Sequence, residues 1–358
     1  SSPRPSNTSP VRFGNRRLMV ISGILFGSYS EAEALATVDF NTLGLLLGMM
    51  LLVALLEPTG FFQYLAAWAG KISRGNPVRL LLLMGAVTTV VSMFLNNVTT
   101  IILIAPVTIL LCQVLGLNSI PYLLSEALLS NIGGVATLIG DPPNVIIASA
   151  ARLSFVDFLV HSLPIVLVLW IVTVLLLRIL FRRELSVKAR MVTAIRRLDP
   201  WEAFKDPKTA RKVLVLLGVA IALFVAAHFI QISLALISLS AAGAALVWIQ
   251  PDLEKTLAHI EWSVLIFFAA LFVMVGGLEA SGALDLLVRL LQGAGPLPPV
   301  AYGLIIIWLV AILSAVVDNI PITIAMVPVI QGLGAAGIPV GPLWWALVFG
   351  AGLGGNGT

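Results

Sequence analysis

The stretch Ser92-Met93-Phe94-Leu95-Asn96-Asn97-Val98-Thr99-Thr100, followed by Pro106, interrupts an apolar run, and a version of it occurs twice. Moving 222 positions along the chain brings Ser92 onto Ser314, Asn97 onto Asn319 and Pro106 onto Pro328, with Asp318 in the place of Asn96. The same offset pairs Asp39 with Glu261, Phe40 with Trp262, Glu57 with Glu279 and Gly60 with Gly282. After a one-residue gap, Gly133-Gly134 and Thr137 fall on Gly354-Gly355 and Thr358. The positions that hold this register are polar, glycine and proline; chance likeness between apolar helices would match leucines. The chain is therefore read as a duplication with a polar break in each half.

The solvent of the duplicated unit follows from composition. Of 358 residues, 59% are hydrophobic and 11% charged, with a mean hydropathy of +1.06, whereas a soluble domain carries about 25% charged residues. A cytosolic enzyme, a secreted disulfide scaffold and a disordered chain are all excluded. The one cysteine, Cys112, provides neither a disulfide framework nor a cysteine metal site. Apolar segments at 40–57, 156–180, 213–230, 232–250, 261–279 and 300–317 are long enough to span a bilayer. Two further segments, 78–117 and 120–150, are apolar but interrupted. Residues 1–17 read as an irregular cytoplasmic tail and 18–28 as the end of a shortened helix, and Thr358 falls in the middle of the second copy's glycine motif, so the chain is expected to lack both ends of a longer protein.

Charge placement gives an orientation. Ten Lys and Arg lie between Arg182 and Lys212, against Glu184, Asp199, Glu202 and Asp206. With 182–212 in the cytoplasm and the spans threaded alternately, only Arg152 and Arg289 of 21 basic residues fall outside, as the positive-inside rule expects. The basic balance is thus topology, and no nucleic-acid partner is implied. Two stretches read as amphipathic helices lying in the interface: 61–72, with Phe61, Phe62, Leu65 and Trp68 at helical spacing, and 283–291. Glu57 and Glu279 are expected at helix ends, and His259 beside Glu261 in the cytoplasm.

With 78–117 entering and leaving on one side, the chain crosses five times from the start of 40–57 (itself, 120–150, 156–180, 213–230 and 232–250) to the start of its counterpart at 261–279, and an odd number turns the second copy upside down. Inverted repeats with matching interrupted segments mark secondary transporters, whose sites lie near the midplane. The expected fold is an all-α polytopic membrane protein of two inverted repeats, each with a re-entrant hairpin and a discontinuous transmembrane helix. The first repeat is placed at 35–181, with its hairpin at 78–117 and its broken helix at 120–150. A basic loop at 182–212 and linking helices at 213–250 lead to the second repeat at 261–358.

A break in a membrane helix frees backbone N–H and C=O groups that lipid cannot satisfy. Freed N–H groups suit an anion, and freed carbonyls with Asn and Thr oxygens suit Na⁺. The candidate substrate and ion ligands are therefore Asn96, Asn97, Thr99, Thr100, Gly133, Gly134, Thr137, Gly140, Asp141 and Asn144 in the first half. Asp318, Asn319, Thr323, Gly354, Gly355, Asn356 and Thr358 are those of the second. The glycines permit close backbone approach and unusual dihedrals, and Pro142-Pro143 break the helix. An acid inside a membrane is costly unless paired or functional, so Asp141, Asp318 and Glu126 are the candidate proton or Na⁺ coupling groups. A helix kink with Asp141 as its cap is the structural alternative. No resident cofactor or metal is expected, only H⁺ or Na⁺ as coupling ion.

At these motifs the sequence resembles the ion transporter superfamily, in particular its arsenite permease and P-protein group with a citrate transporter-like domain. The residues that carry the likeness are Phe94-Leu-Asn-Asn-Val-Thr-Thr100 with Pro106-Val-Thr108, Asn131-Ile-Gly-Gly through Gly140-Asp-Pro-Pro-Asn-Val-Ile147, Glu261-Trp262 with Phe267-Phe-Ala-Ala-Leu-Phe-Val273, Asp318-Asn-Ile-Pro321, and Phe349-Gly-Ala through Thr358. The resemblance implies the two-repeat fold, scaffold helices that mediate a homodimer, and a Ser-Asn-Thr motif at each tip in dicarboxylate relatives. Here those positions read Asn96-Asn97-Val98 and Asp318-Asn319-Ile320, which points away from a dicarboxylate and toward ion exchange or another substrate such as arsenite. The expected function is secondary active transport of an inorganic ion or small anion, in the plasma (inner) membrane. A Na⁺/H⁺ antiporter, a Na⁺-coupled citrate carrier and an ion channel are the alternatives. An intramembrane aspartyl protease fits poorly, because Asp141 and Asp318 stand in different motifs.

Overall fold

Several helix starts in this chain are set by short polar side chains placed just before apolar runs. The computed structural model describes residues 31–187, 199–230, 232–280 and 298–357. The tail at 1–17, the piece at 18–28, the stretch 283–291 with Arg289, and Thr358 lie outside the described residues. After a short α1 (Glu31–Ala36), α2 (Phe40–Leu56) begins where Asp39 accepts from the N–H groups of Asn41 and Thr42. It is followed by α3 (Phe61–Ser73) and by α4 (Pro77–Ser92), capped by Asn76 with Pro77 in its first turn. Next come α5 (Asn97–Leu115), α6 (Ile120–Gly134) and the short α7 (Pro142–Ala151). A long α8 (Phe155–Leu180) contains one π-helical turn at Phe158–Ser162. The rest is α9 (Pro207–Ile230), α10 (Leu234–Ile249), α11 (Leu253–Ala258), α12 (Trp262–Ala280), α13 (Pro299–Ser314), α14 (Asn319–Ala335) and α15 (Gly341–Gly354). No strand occurs among the described residues.

The duplication is visible in the helix boundaries. Pro77–Ser92 and Pro299–Ser314 are the same interval 222 residues apart, and α5 and α14 begin at the paired Asn97 and Asn319. The packing repeats as well. α4 lies along α6 as α13 lies along α15. The Ser92 hydroxyl donates to the carbonyl of Ser130 at 2.7 Å, and that of Ser314 to Ala351 at 3.0 Å. A Cβ on Gly133 would stand 2.5 Å from the Thr89 carbonyl oxygen, and one on Gly354 2.7 Å from that of Ala311. These glycines supply space rather than handedness: Gly133, Gly134 and Gly140 are not among the positive-φ glycines, so the unusual dihedrals expected of them are not used.

Among the described residues four helical runs are long and apolar enough to cross a bilayer: Phe40–Thr59, Asn97–Leu115, Phe155–Leu180 and Pro207–Ala227. The expected spans at 232–250 and 300–317 are shorter apolar helices, Leu234–Ile249 and Pro299–Ser314. Both α4 and α13 have 16 residues, about 24 Å at 1.5 Å each, short of the ~30 Å hydrocarbon layer. α8 is apolar all round and faces outward through Leu167, Val168, Ile171, Leu175 and Ile179, which suits contact with lipid. Beside the bundle, α2 packs closely on α10: a Cβ on Gly48 would meet the Ser238 backbone, and the Ser238 hydroxyl donates to the Gly44 carbonyl at 3.3 Å.

Three expectations change. The span at 300–317 ends as a helix at Ser314, because Ala315-Val316-Val317 uncoil into the tip. The span at 213–230 starts earlier, at Pro207, where Asp206 accepts from the Thr209 N–H at 3.1 Å. The stripe of α3 is rotated: Phe62, Ala66 and Ala69 are buried, α3 packs on α4 and α5, and Trp68 is exposed. Tyr64 instead joins Trp201 and Phe204, with ring centroids 5.1 Å away from each. The hydrogen bonds from Thr209 hold the Asp206 carboxyl below its ordinary range, so its capping contribution is present at neutral pH and fades as pH falls through the carboxylate range. Asp206→Ala should cost about 1 kcal/mol, read as a thermal midpoint a few degrees lower in detergent. An unchanged midpoint would remove Asp206 as the cap.

Candidate functional site

At the first tip, Met93 to Asn96 link α4 to α5, and the Asn96 side chain caps α5 by accepting from the Thr99 N–H at 2.7 Å. At the second, Asp318 does the same for Ile320 at 3.3 Å. Asn96 and Asp318 therefore hold equivalent capping roles with unequal charge. Thr100 and Thr323 are buried, and each hydroxyl donates back to the carbonyl four residues earlier, on Asn96 and Asn319. Both threonines brace their own helix.

The second half of the site is the break between α6 and α7. Residues 132–148 are buried throughout, so the carbonyls freed there need partners. Asn144 donates to the carbonyls of Gly134 at 2.9 Å and Thr137 at 2.8 Å. The Thr137 hydroxyl reaches the Met93 carbonyl at the first tip, and Ser162, in the π turn of α8, donates to Val135 at 2.6 Å. A Cβ on Gly140 would lie 2.6 Å from the Gly134 carbonyl oxygen and 2.9 Å from that of Ser92, so only glycine lets the break fold against the tip. With its amide nitrogen committed to two carbonyls, the Asn144 Oδ1 is buried without a hydrogen-bond partner. Buried acceptors are almost always satisfied, and this one is a candidate ligand for a cation.

The two tips and both breaks meet through side-chain amides. Asn97 donates to Asn131, and Asn131 donates to Asn356 at 2.7 Å. From the other side, Asn319 donates to the Asp141 carboxylate at 3.2 Å. Asp141 is 2% exposed and precedes α7, yet its side chain makes no capping bond. The kink-and-cap alternative is therefore not what the carboxylate does. Its partner is a neutral amide from the other repeat, and no salt bridge reaches Asp141, Glu126 or Asp318 among the described residues. An acid so placed is a candidate to hold a proton or a cation. Among the described residues there is no cluster of three His, Cys, Asp or Glu side chains that could hold a metal ion; the polar groups gathered at the breaks are those of Asn, Asp and backbone.

Asp318 and Glu126 lie off the amide network, although the charge of Asp318 acts on Asp141. Asp318 is exposed. Glu126 is fully buried, accepts from the Thr108 hydroxyl at 2.6 Å and leaves Oε2 without a partner. It lies five residues before Asn131 on α6, about 7.5 Å along the axis. Gly355 and Asn356 belong to a single 3₁₀ turn after α15. Two residues at the site were not among the candidate ligands, although Asn131 opens the glycine motif of the first half and both stand among the residues that carry the family likeness. Asn131 is replaced by Gly352 in the second copy, so the repeat gave no signal for it. Glu261 comes from the start of α12, and its carboxylate accepts from Asn96 Nδ2 at 3.1 and 3.2 Å and from the Thr99 hydroxyl at 2.6 Å. The pairing of Asp39 with Glu261 in the repeat was the available signal.

Apolar helices with lipid-facing sides, interrupted at polar breaks that meet inside the bundle, define an integral membrane protein of the transporter type. Sequence comparison supplies the family. The chain belongs to the citrate transporter family, whose model matches residues 17–350. It is 40% identical over 322 residues to an uncharacterized transporter of Mycobacterium tuberculosis, covering 89% of this chain and 75% of that protein. It is also 40% identical over 326 residues to the 46 kDa membrane protein of Mycobacterium leprae, with the same coverage. With the P protein of Homo sapiens the identity is 34% over 433 residues, covering 98% of this chain and 51% of that protein. The likeness to the P-protein group is thus borne out, and the matched family and the Mycobacterium tuberculosis relative are named as transporters.

Proposed function

We infer that this protein is a secondary active transporter that moves a small anion or inorganic ion against its gradient, coupled to H⁺ or Na⁺. The observation that carries this reading is the buried Asp141 carboxylate, held by the Asn319 amide of the other repeat. In the proposed arrangement the two copies are inverted, each tip is re-entrant, and the site lies near the midplane. Asp141 takes the coupling proton, or shares a Na⁺ with the free Asn144 oxygen. The amides of Asn97, Asn131, Asn319 and Asn356 orient the substrate. Glu126, off the amide network, is a second proton-carrying group, and Asp318 is the acid that the second tip presents to solvent.

The name of the matched family makes citrate the first substrate to try, with arsenite and Na⁺/H⁺ exchange beside it. The loop 182–212 is placed in the cytoplasm by its charge, the membrane is the plasma membrane, and a homodimer is the proposed assembly. Purified protein in liposomes should accumulate one of these solutes only when a pH or Na⁺ gradient is imposed, and Asp318→Asn should alter its ion dependence. Gradient-independent flux that does not saturate would replace the carrier with a channel.

A further inference from the structure

The duplication relates two cavities as well as two helix sets. The first, about 240 Å³, is lined by Met50, Val53 and Glu57, by Ile102, and by Glu261. The second, about 640 Å³, is lined by Phe272, Val275 and Glu279, by Ile324, and by Asp39. Subtracting 222 from Phe272, Val275, Glu279 and Ile324 gives Met50, Val53, Glu57 and Ile102, and Asp39 is the counterpart of Glu261. Each cavity thus lies between the first helix of one repeat, the tip helix of that same repeat, and an acid from the start of the other.

The correspondence fails at one place. Glu261 meets the first tip itself, through Asn96 and Thr99. Across from Asp39 the wall is Ile324, Val327, Pro328 and Gln331, and Asp318 is not part of it. In first-repeat numbers those positions are 102, 105, 106 and 109, where the wall around Glu261 is 96, 99 and 102. The offset is about six residues, or ~9 Å along a helix. The Asp39 carboxylate is turned onto its own helix, accepting from the Thr42 hydroxyl at 2.7 Å and from the N–H groups of Asn41 and Thr42. The first tip is held by the acid of the other repeat, whereas the second tip is free of Asp39 and tied instead through Asn319 to Asp141.

We propose that Glu261 is a latch on the first tip, that Asp39 takes the second tip in the opposite-facing state, and that the two latches alternate during transport. This rests on the inverted-repeat carrier proposed above. The two latches have different chemistry. Glu261 closes on an amide and a hydroxyl, so it needs no ion. Asp39 would close on Asp318, with Pro321 in the place of Thr99 and offering no donor. Two carboxylates come together only with a proton or a small cation between them. The other acids nearby, Glu279 in the same cavity and Asp141 one amide away through Asn319, are further carboxyl groups, and among the described residues no Lys, Arg or His lines that cavity. The second latch therefore demands a cation that the first does not.

The test uses paired cysteines in the full chain carrying Cys112→Ser, reconstituted in liposomes and cross-linked with a short bifunctional reagent. Val98→Cys with Trp262→Cys, beside the first latch and leaving Glu261 and Thr99 in place, reports the state described here, and the counterpart pair Ile320→Cys with Phe40→Cys, leaving Asp39 and Asp318 in place, reports the opposite one. Both pairs should cross-link. Adding Glu261→Ala to the second pair should raise its yield about threefold or more by shifting the population. Glu261→Gln, which keeps an acceptor for Thr99, should raise it less. Asp318→Asn should lower the yield of the first pair, because the second tip then closes without an ion. Monodisperse elution of each variant reports folding. If the second pair cross-links but ignores Glu261→Ala, the latch is overturned and the carrier reading stands. If the second pair never cross-links in any background, the halves do not exchange, and the inverted-repeat carrier falls with it.

Discussion

Asp141→Asn is expected to reduce gradient-driven transport to the level of protein-free liposomes while leaving the protein folded. The carboxylate is buried and accepts from Asn319 at 3.2 Å, and the amide that replaces it keeps the size and can still accept that bond through its own oxygen. What is lost is the capacity to bind a proton or to neutralise a cation. Because a buried acid is costly to the fold, its removal should leave the thermal midpoint unchanged or raise it, as is common when a functional site is neutralised. Two measurements check this together: solute uptake under an imposed pH or Na⁺ gradient, and thermal unfolding in detergent. Loss of uptake with a large fall in the midpoint would make Asp141 a structural residue. Full uptake with unchanged ion dependence would remove it from the coupling mechanism.

The second large effect should come from one methyl group. Gly140→Ala would put a Cβ 2.6 Å from the Gly134 carbonyl oxygen, 2.9 Å from that of Ser92 and 3.1 Å from the Gly134 Cα. All three neighbours are backbone, so no side chain can swing aside. Overpacking of this kind costs roughly 1–3 kcal/mol. The strain falls where the break meets the first tip, so transport should fall with the midpoint. Gly218→Ala and Gly243→Ala are the matched controls, since a Cβ at either position has nothing within 4 Å. Both sit in helix interiors and should be neutral or stabilising by a few tenths to about 1 kcal/mol. If Gly140→Ala behaves like these controls, the close approach of break and tip is not required.

Much of the fold was legible because the bilayer leaves the chain few choices. Long apolar runs become helices in lipid, and nearly every span read from hydropathy is a helix with similar bounds. The offset of 222 located the tips, since a position that must stay polar or glycine inside a membrane stands out against leucine and valine. The duplication also located Ser92 with Ser314 and Gly133 with Gly354, whose contacts repeat in space. Less could be read of α3, where Trp68 appeared to belong to the buried stripe. Helical spacing gives a face but not its partner, and the aromatic residues at 201 and 204 that fill the space beside α3 lie far along the chain.

The sequence alone determined that this is a membrane protein, that it is duplicated, that each half carries a polar break, and that Asp141 and Asp318 are acids near those breaks. All of these are properties of composition and spacing, which hydrophobic burial and backbone hydrogen bonding translate directly into helices and interruptions. Only the tertiary structure decided which polar groups face one another. It joined Asn97 to Asn131 and Asn356, set Asn319 rather than Asp318 on Asp141, left Glu126 with Thr108, and brought Glu261 onto the first tip from 165 residues away in sequence. Hydrogen bonds between side chains depend on distances of a few tenths of an ångström between elements remote in sequence. No periodicity along a single helix encodes such distances.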